Sequence, residues 1–245
     1  MNRHSGSDLA RDLRRLGVEA GDILFVHSSY KSLGPVRGGA IAVIAALEDA
    51  IGPDGLLLMP SFNLVAREDR AATWDAAATP STVGWITEQF RQLPRVFRSD
   101  HYSHSVAARG NGAESFVGGH RSQDGYCSPW DLKPWGKTYG TNSPMYRAYR
   151  AGAKLLMLGV DYLSSTYIHL VEVIYWNKQH AASLVGGDDP PFLAMDRRAL
   201  GVYWERTGTL CRGSVGDADC RLFGVRDYVD ALLIEVERNA ERYLL

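Results

Sequence analysis

Leu155-Leu-Met-Leu-Gly159, a short polar loop, and then Thr166-Tyr-Ile-His169-Leu-Val-Glu172 form the stretch that decides the fold class. The first run is short, continuous and apolar, the pattern of a strand buried on both faces of an α/β sheet. The loop carries Asp161, Ser164 and Ser165. From Tyr167 to Trp176 the apolar residues recur with helical spacing, and Thr166 is a natural N-cap. A strand running into a helix in this way predicts an α/β fold with His169 in the first helical turn. That turn sits at the carboxyl end of the strand, where open α/β sheets collect ligands. The positive end of the helix dipole disfavours imidazolium, so His169 is expected to be neutral and able to accept a proton. The competing reading is a histidine that is simply hydrogen-bonded in a packed first turn.

Working outward, the same grammar repeats. Ser7 is the expected cap of a helix over 8–16, ended by Gly17. Ile23-Leu-Phe-Val-His27 reads as a strand, Gly39–Ile51 as a helix, and Leu56-Leu-Leu-Met59 as a second strand stopped by Pro60. Strand, helix and strand in this order imply parallel pairing with a right-handed crossover. A helix is expected over Val83–Leu93, short strands near Arg95–Arg98 and Ser105–Ala108, and a helix opened by Ser143-Pro144. Leu200-Gly-Val-Tyr-Trp-Glu205 alternates like a strand, and Arg226–Tyr243 reads as an amphipathic C-terminal helix. Residues 61–80 and 118–142 are long, irregular and rich in aromatic or polar residues, which marks them as functional excursions. With no repeat, no low-complexity tract and no composition break, the 245 residues are expected to form one domain.

Composition excludes several classes. Lys+Arg 27 against Asp+Glu 28 gives a net charge of −1, so no global field favours nucleic acid or an anionic membrane. No apolar stretch is long enough to span a bilayer, and the N-terminal residues lack the apolar core of a signal peptide. Three cysteines do not make a disulfide framework, which points to a reduced, cytoplasmic setting.

The second chemical element is His27-Ser-Ser-Tyr-Lys-Ser-Leu-Gly-Pro-Val-Arg-Gly-Gly39, between the first strand and its helix. Such a loop offers backbone N–H groups and a helix N-terminus to a phosphate. Gly38 and Gly39 allow close approach, Lys31 and Arg37 add charge, and Ser28, Ser29 and Ser32 add hydroxyls. It is neither a Walker loop nor a Gly-x-Gly-x-x-Gly fingerprint. Gly136-Lys-Thr138 has no preceding strand or glycine at the required spacing and is set aside.

Taken together, these pieces resemble the aminoglycoside 3-N-acetyltransferase family of antibiotic N-acetyltransferases. The landmarks occur in family order: His27-Ser-Ser-x-x-Ser-Leu-Gly34 with Gly38-Gly39, Gly52-Pro-Asp-Gly-Leu-Leu-Leu-Met-Pro60, His101 near Ser105 with Ala107-Ala-x-Gly110, Ser143-Pro144, Leu155–Gly159, and Thr166-x-Ile-His169-x-x-Glu172. The resemblance implies a single-domain α/β sandwich with a central, largely parallel sheet flanked by helices. It implies acetyl-CoA as co-substrate, no metal, and a primary amine of an aminoglycoside or related amino sugar as acceptor. Cofactor contacts would come from His27, Ser28, Ser29, Lys31, Ser32, Leu33, Gly34, Val36, Gly38, Gly39 and Ser105. His169 would be the general base, Glu205 (in Tyr203-Trp-Glu205) would orient it, and Thr166 would assist at the oxyanion. Glu68, Asp69 and Glu172 would meet the acceptor. The expected partners are this small molecule and, as an option left open, a second copy in a homodimer, with no nucleic acid and no membrane.

The chemistry is coherent, because an amine must lose a proton before it attacks a thioester and an unperturbed histidine titrates at about 6.5. The sequence also departs from the family. His101-Tyr102 replaces the usual His-Pro, and Glu68 and Asp69 come late in the acceptor loop. Four rival readings stay open: the same chemistry on a non-antibiotic biosynthetic or nucleotide-linked amino sugar, zinc at His101-x-x-His104, a Cys127 nucleophile, and a catalytically silent CoA-binding homologue. The aromatics Trp74, Tyr126, Trp130, Trp135 and Tyr139 in the two excursions favour a less charged acceptor over a polycation.

Overall fold

The computed structural model describes residues 3–65, 67–183 and 191–245. Met1 and Asn2, and Ala66 of the acceptor loop, lie outside the described residues. In chain order the helices are α1 (Gly6–Leu16), α2 (Gly39–Ile51), α3 (Arg70–Thr73), α4 (Trp85–Arg91), α5 (Ala113–Val117), α6 (Pro144–Ala151), α7 (Tyr167–Ser183), α8 (Arg197–Thr207) and α9 (Val225–Asn239). The strands are β1 (Ile23–Ser28), β2 (Leu56–Pro60), β3 (Phe97–Arg98), β4 (Val106–Gly110), β5 (Lys154–Leu158), β6 (Cys211–Val215) and β7 (Ala218–Gly224).

One seven-stranded sheet runs in the order β3-β4-β2-β1-β5-β7-β6. Its centre is parallel: β1 pairs with β2 on one side and with β5 on the other. Its flanks are antiparallel, with β4 against β2 and β7 against β5. The α/β sandwich is therefore as expected, with the parallel pairing confined to the three middle strands. Alternate side chains of those strands feed two cores. Phe25, Leu58, Leu155 and Met157 pack beneath α6, α7 and α9, while Leu24, Val26, Leu57 and Leu156 pack beneath α1, α2 and α4.

This wiring creates a crevice. The chain leaves β1 through α2 on one face of the sheet and leaves β5 through α7 on the other. Adjacent parallel strands whose connections diverge open a gap at their carboxyl ends, and ligands of open α/β sheets occupy that gap. Ser28 and Leu158 are register partners at this edge. The loops after β1, β2 and β5 all emerge there.

Local differences from the expected elements have physical causes. The cap of α1 is Ser5 rather than Ser7, because Asp8 lies three residues beyond it and completes a reciprocal capping box (Asp8 N to Ser5 Oγ 3.2 Å, Ser5 N to Asp8 Oδ2 3.0 Å). Leu200–Glu205 is helical, not extended. Asp196 caps α8 by accepting from Arg198 N and Ala199 N, and Leu200 and Trp204, four apart, face the core. The β6–β7 hairpin, turning at Gly216-Asp217, was not anticipated, although its two-residue turn is a recognised hairpin signal. No described helix is long and apolar enough to cross a membrane.

Candidate active site

The site is assembled from the start of α7. His27, at the end of β1, is buried, and its Nε2 accepts from Thr166 N (3.4 Å) and lies 3.2 Å from Thr166 Oγ1. Tyr139 Oη donates to Thr166 O (3.2 Å), and Tyr167 packs edge-on against Phe25. The first turn of α7 is thereby tied to the central strand on one side and to the aromatic excursion on the other.

His169, third in the helix, keeps 23% of its side chain exposed. Its Nδ1 lies 2.6 Å from Glu172 Oε2, whose side chain is only 2% exposed. A carboxylate accepts, so Nδ1 carries a proton, and in the tautomer this selects the lone pair belongs to Nε2. The other carboxylate oxygen, Oε1, accepts from Met195 N (2.8 Å), which fixes the acid as it fixes the ring. Trp130 and His104 hold the imidazole from the sides, at ring-centre distances of 5.1 and 5.5 Å. Burial, and then the neighbouring His169, hold the His104 pKa well below the usual histidine range, so this neighbour stays neutral.

His169 opens onto a cavity of about 800 Å³. Its walls include His27, Ser28, Thr166, Phe62, Leu64, His104, Trp130, Leu163, Arg67, Arg70 and Arg197. Across Ser28 a second cleft of about 640 Å³ is lined by Ser28, Ser29, Tyr30, Lys31, Gly84 and Trp85. The start of the loop, His27 to Lys31, separates the two, with His27 and Ser28 on the first and Ser28 to Lys31 on the second. The loop's last glycines, Gly38 (φ 85°) and Gly39 (φ 65°), take the left-handed conformations that open α2.

Several expected site residues stand elsewhere. Glu205 does not reach His169: it lies on α8 and forms ion pairs with Arg212 and Arg221. The carboxylate on the imidazole is Glu172, which therefore does not face the acceptor. Glu68 and Asp69 are exposed and line neither cavity; the neighbouring Arg67 and Arg70 do. Ser105 is fully buried, and its hydroxyl donates to Ser61 O (2.9 Å). Leu33 and Val36 are core residues, and Gly34 packs against Asp217. Ser32 braces the loop by donating to Gly159 O (2.9 Å). Of the expected acceptor aromatics only Trp130 lines the cavity. Trp74 and Trp135 cluster with Tyr102, and Tyr126 meets Tyr146.

The rival chemistries find little support in the geometry. Cys127 is exposed and accepts from Lys137 Nζ (3.0 Å), and it lines neither cavity. His101 stacks on His120 (4.4 Å), whereas His104 makes tilted ring contacts with Phe62 and Trp130. Among the described residues no three potential metal ligands converge.

Sequence reading missed Arg67, Arg70, Arg197 and Trp85. They sit in irregular segments or at helix starts, where periodicity says nothing, and only the fold brings them together.

Residues 25–234 match the model of the aminoglycoside 3-N-acetyltransferase family. The chain belongs to this family. As a member it is an acetyl-CoA-dependent N-acetyltransferase, with acetyl-CoA as co-substrate. The aminoglycoside N(3)-acetyltransferase IV of a Salmonella species is 32% identical over 95% of this chain and 87% of its own length. The prophage-derived aminoglycoside N(3')-acetyltransferase-like protein YokD of Bacillus subtilis is 31% identical, covering 91% and 88%. Among solved structures, a histidine-to-alanine mutant of aminoglycoside acetyltransferase AAC(3)-IVa in complex with a gentamicin superposes with a TM-score of 0.78 at 26% identity, covering 98% and 91% of the two chains.

This N-acetyltransferase carries two histidines whose burial has a consequence for acid stability. His120 completes a buried relay: Val106 N–H donates to Ser99 Oγ, Ser99 O–H donates to His120 Nδ1, and His120 Nε2–H donates to Thr138 O. Burial holds both His27 and His120 at about 3. The unfolded chain takes up these protons near pH 6.5, so between about 6.5 and 3 it binds protons that the fold excludes. Stability therefore falls with pH through that window, by up to about 1.4 kcal/mol per pH unit for each histidine. Denaturant midpoints measured at pH 7, 5.5 and 4.5 should fall progressively. A constant midpoint would mean that these rings are hydrated in the fold.

Proposed function

We propose that this protein acetylates a primary amine on an amino sugar, with His169 as general base positioned by Glu172. One observation carries the reading: an imidazole at the mouth of the cavity, its Nδ1 held at 2.6 Å by a buried carboxylate. The CoA arm lies along the His27–Gly39 loop and the cleft lined by Lys31 and Trp85. The acceptor occupies the larger cavity, so thioester and amine meet beside His169. The amine gives its proton to His169 Nε2 as its nitrogen attacks the thioester carbonyl. The carbon–sulfur bond then breaks, and the proton passes to the departing thiolate. Transfer is direct, with no acyl-enzyme. Thr166 Oγ1 lies on the cavity wall but is engaged with His27, so it serves the oxyanion only by leaving that partner. Support for the sugar amine comes from the relatives named as aminoglycoside N-acetyltransferases and from the gentamicin complex of AAC(3)-IVa.

The test is release of free thiol from acetyl-CoA in the presence of a panel of amino sugars, with the acetylated nitrogen located by mass spectrometry. Thiol release without an acetylated amine would sink the reading.

The cofactor side has its own test. Trp85 is 58% exposed, unusual for a tryptophan, and forms one wall of the second cleft. A base stacked on an aromatic ring is worth about 1–3 kcal/mol, so Trp85→Ala should raise the CoA Kd by roughly five-fold or more if the adenine lies there. Calorimetry with CoA reads this directly. An unchanged Kd would place the adenine elsewhere.

A further inference from the structure

We infer that the acceptor amine belongs to a molecule that also carries an oxyanion, a phosphate or carboxylate, gripped by Arg67, Arg70 and Arg197. The inference rests on the acetyltransferase reading above and specifies its substrate class. The three guanidinium-bearing residues all line the cavity into which His169 opens. No Asp or Glu is among the described lining residues. Glu172 sits behind the imidazole, occupied by His169 and Met195 N.

The arginines also lack counter-ions among the described residues. Arg70 is half-buried; one terminal nitrogen donates to Asn63 O (3.2 Å), while its buried Nε has no partner. Arg197 donates to Leu163 O (2.7 Å), a neutral carbonyl. Elsewhere some such groups are paired, Arg91 with Glu88, Arg221 with Glu205 and Asp219, and Arg198 with Asp161, while Arg98 and Arg147 are each held by three backbone carbonyls. Arg70 and Arg67 instead face each other's charge.

Uncompensated like charges around one cavity repel a polycation and are stabilised by an anion. Guanidinium groups suit this task because their forked donors match the oxygens of phosphate and carboxylate. The apolar part of the wall, Phe62, Leu64, Trp130 and Leu163, would receive the face of a sugar ring. The competing anion is CoA itself, whose phosphates would then cross into this cavity rather than follow Lys31.

Steady-state kinetics with acetyl-CoA at fixed ionic strength separate these readings. The acceptors are glucosamine 6-phosphate, an amino-sugar carboxylate (muramic acid), glucosamine and gentamicin. At least one of the two anionic acceptors should exceed glucosamine in kcat/KM by about ten-fold or more, and which one does tells phosphate from carboxylate. Arg70→Gln should remove most of that preference through KM, with the CoA Kd within about two-fold of wild type. Arg197→Gln makes the same comparison where Arg70→Gln fails to fold. Preference for glucosamine or gentamicin overturns the inference, as does a loss of CoA affinity that matches the loss of acceptor. Should none of these amines be acetylated, the amino-sugar reading fails. The anion site is then judged by calorimetric titration of glucosamine 6-phosphate into CoA-saturated protein: binding that Arg70→Gln abolishes upholds it, and no binding to wild type overturns it.

Discussion

His169→Ala is expected to lower kcat by a factor of roughly 10²–10⁴ while leaving the CoA Kd within about three-fold. Loss of a general base removes a contribution made in the transition state, so the effect belongs in kcat rather than in cofactor binding. His169 touches the cavity of the acceptor and does not line the second cleft. The substitution also leaves Glu172 Oε2 without its partner in a buried setting, at a cost of about 1–3 kcal/mol. His169→Asn keeps a donor near the carboxylate and shows whether a fall in rate reflects chemistry or folding. Near wild-type turnover in both variants would remove His169 from the mechanism.

Glu172→Gln should lower kcat by roughly 10²–10³, through the tautomer of His169. An amide that keeps the bond from Met195 N through its oxygen must turn its NH₂ toward His169 Nδ1. Nδ1 then has to accept, the proton moves to Nε2, and the nitrogen facing the acceptor can no longer take one. Glu205→Gln is the matching control. Its carboxylate is engaged with Arg212 and Arg221, so its loss should change kcat by less than about three-fold and be felt in stability instead. The reverse pattern, a silent Glu172→Gln and a damaging Glu205→Gln, would return the orienting role to Glu205.

The central elements were legible because each carried redundant local signals. The strand Leu155–Leu158, the polar loop and the helix start at Tyr167 agree in hydrophobic period, capping and turn residues. His169 was placed by that agreement. The i, i+3 spacing to Glu172 was equally visible, but spacing cannot say which of two carboxylates a ring will meet. The Leu200–Glu205 segment misled for a different reason. Gly201, Val202, Tyr203 and Trp204 all disfavour helix or favour strand, and a glycine inside a helix costs about 1 kcal/mol. The fold uses that glycine because α8 lies flush on Tyr162, where a Cβ at position 201 would come within 2.3 Å of the ring. Tertiary packing overrode local propensity. The arginines of the cavity gave no local signal, since their common feature is a missing counter-ion, which only a folded chain reveals.

The base and the acceptor walls rest on different kinds of structure. His169 and Glu172 belong to one helix whose neighbours Ile168, Leu170, Val171 and Val173 are fully buried. Leu64, Arg67 and Leu163 come from irregular or short segments at the rim, and Leu64 is 57% exposed. Substitutions on the rim cost little stability, whereas those around α7 are punished. Mutation can therefore explore new acceptors at the rim without disturbing proton transfer. A lineage built on this scaffold would diversify in what it acetylates long before it changed how.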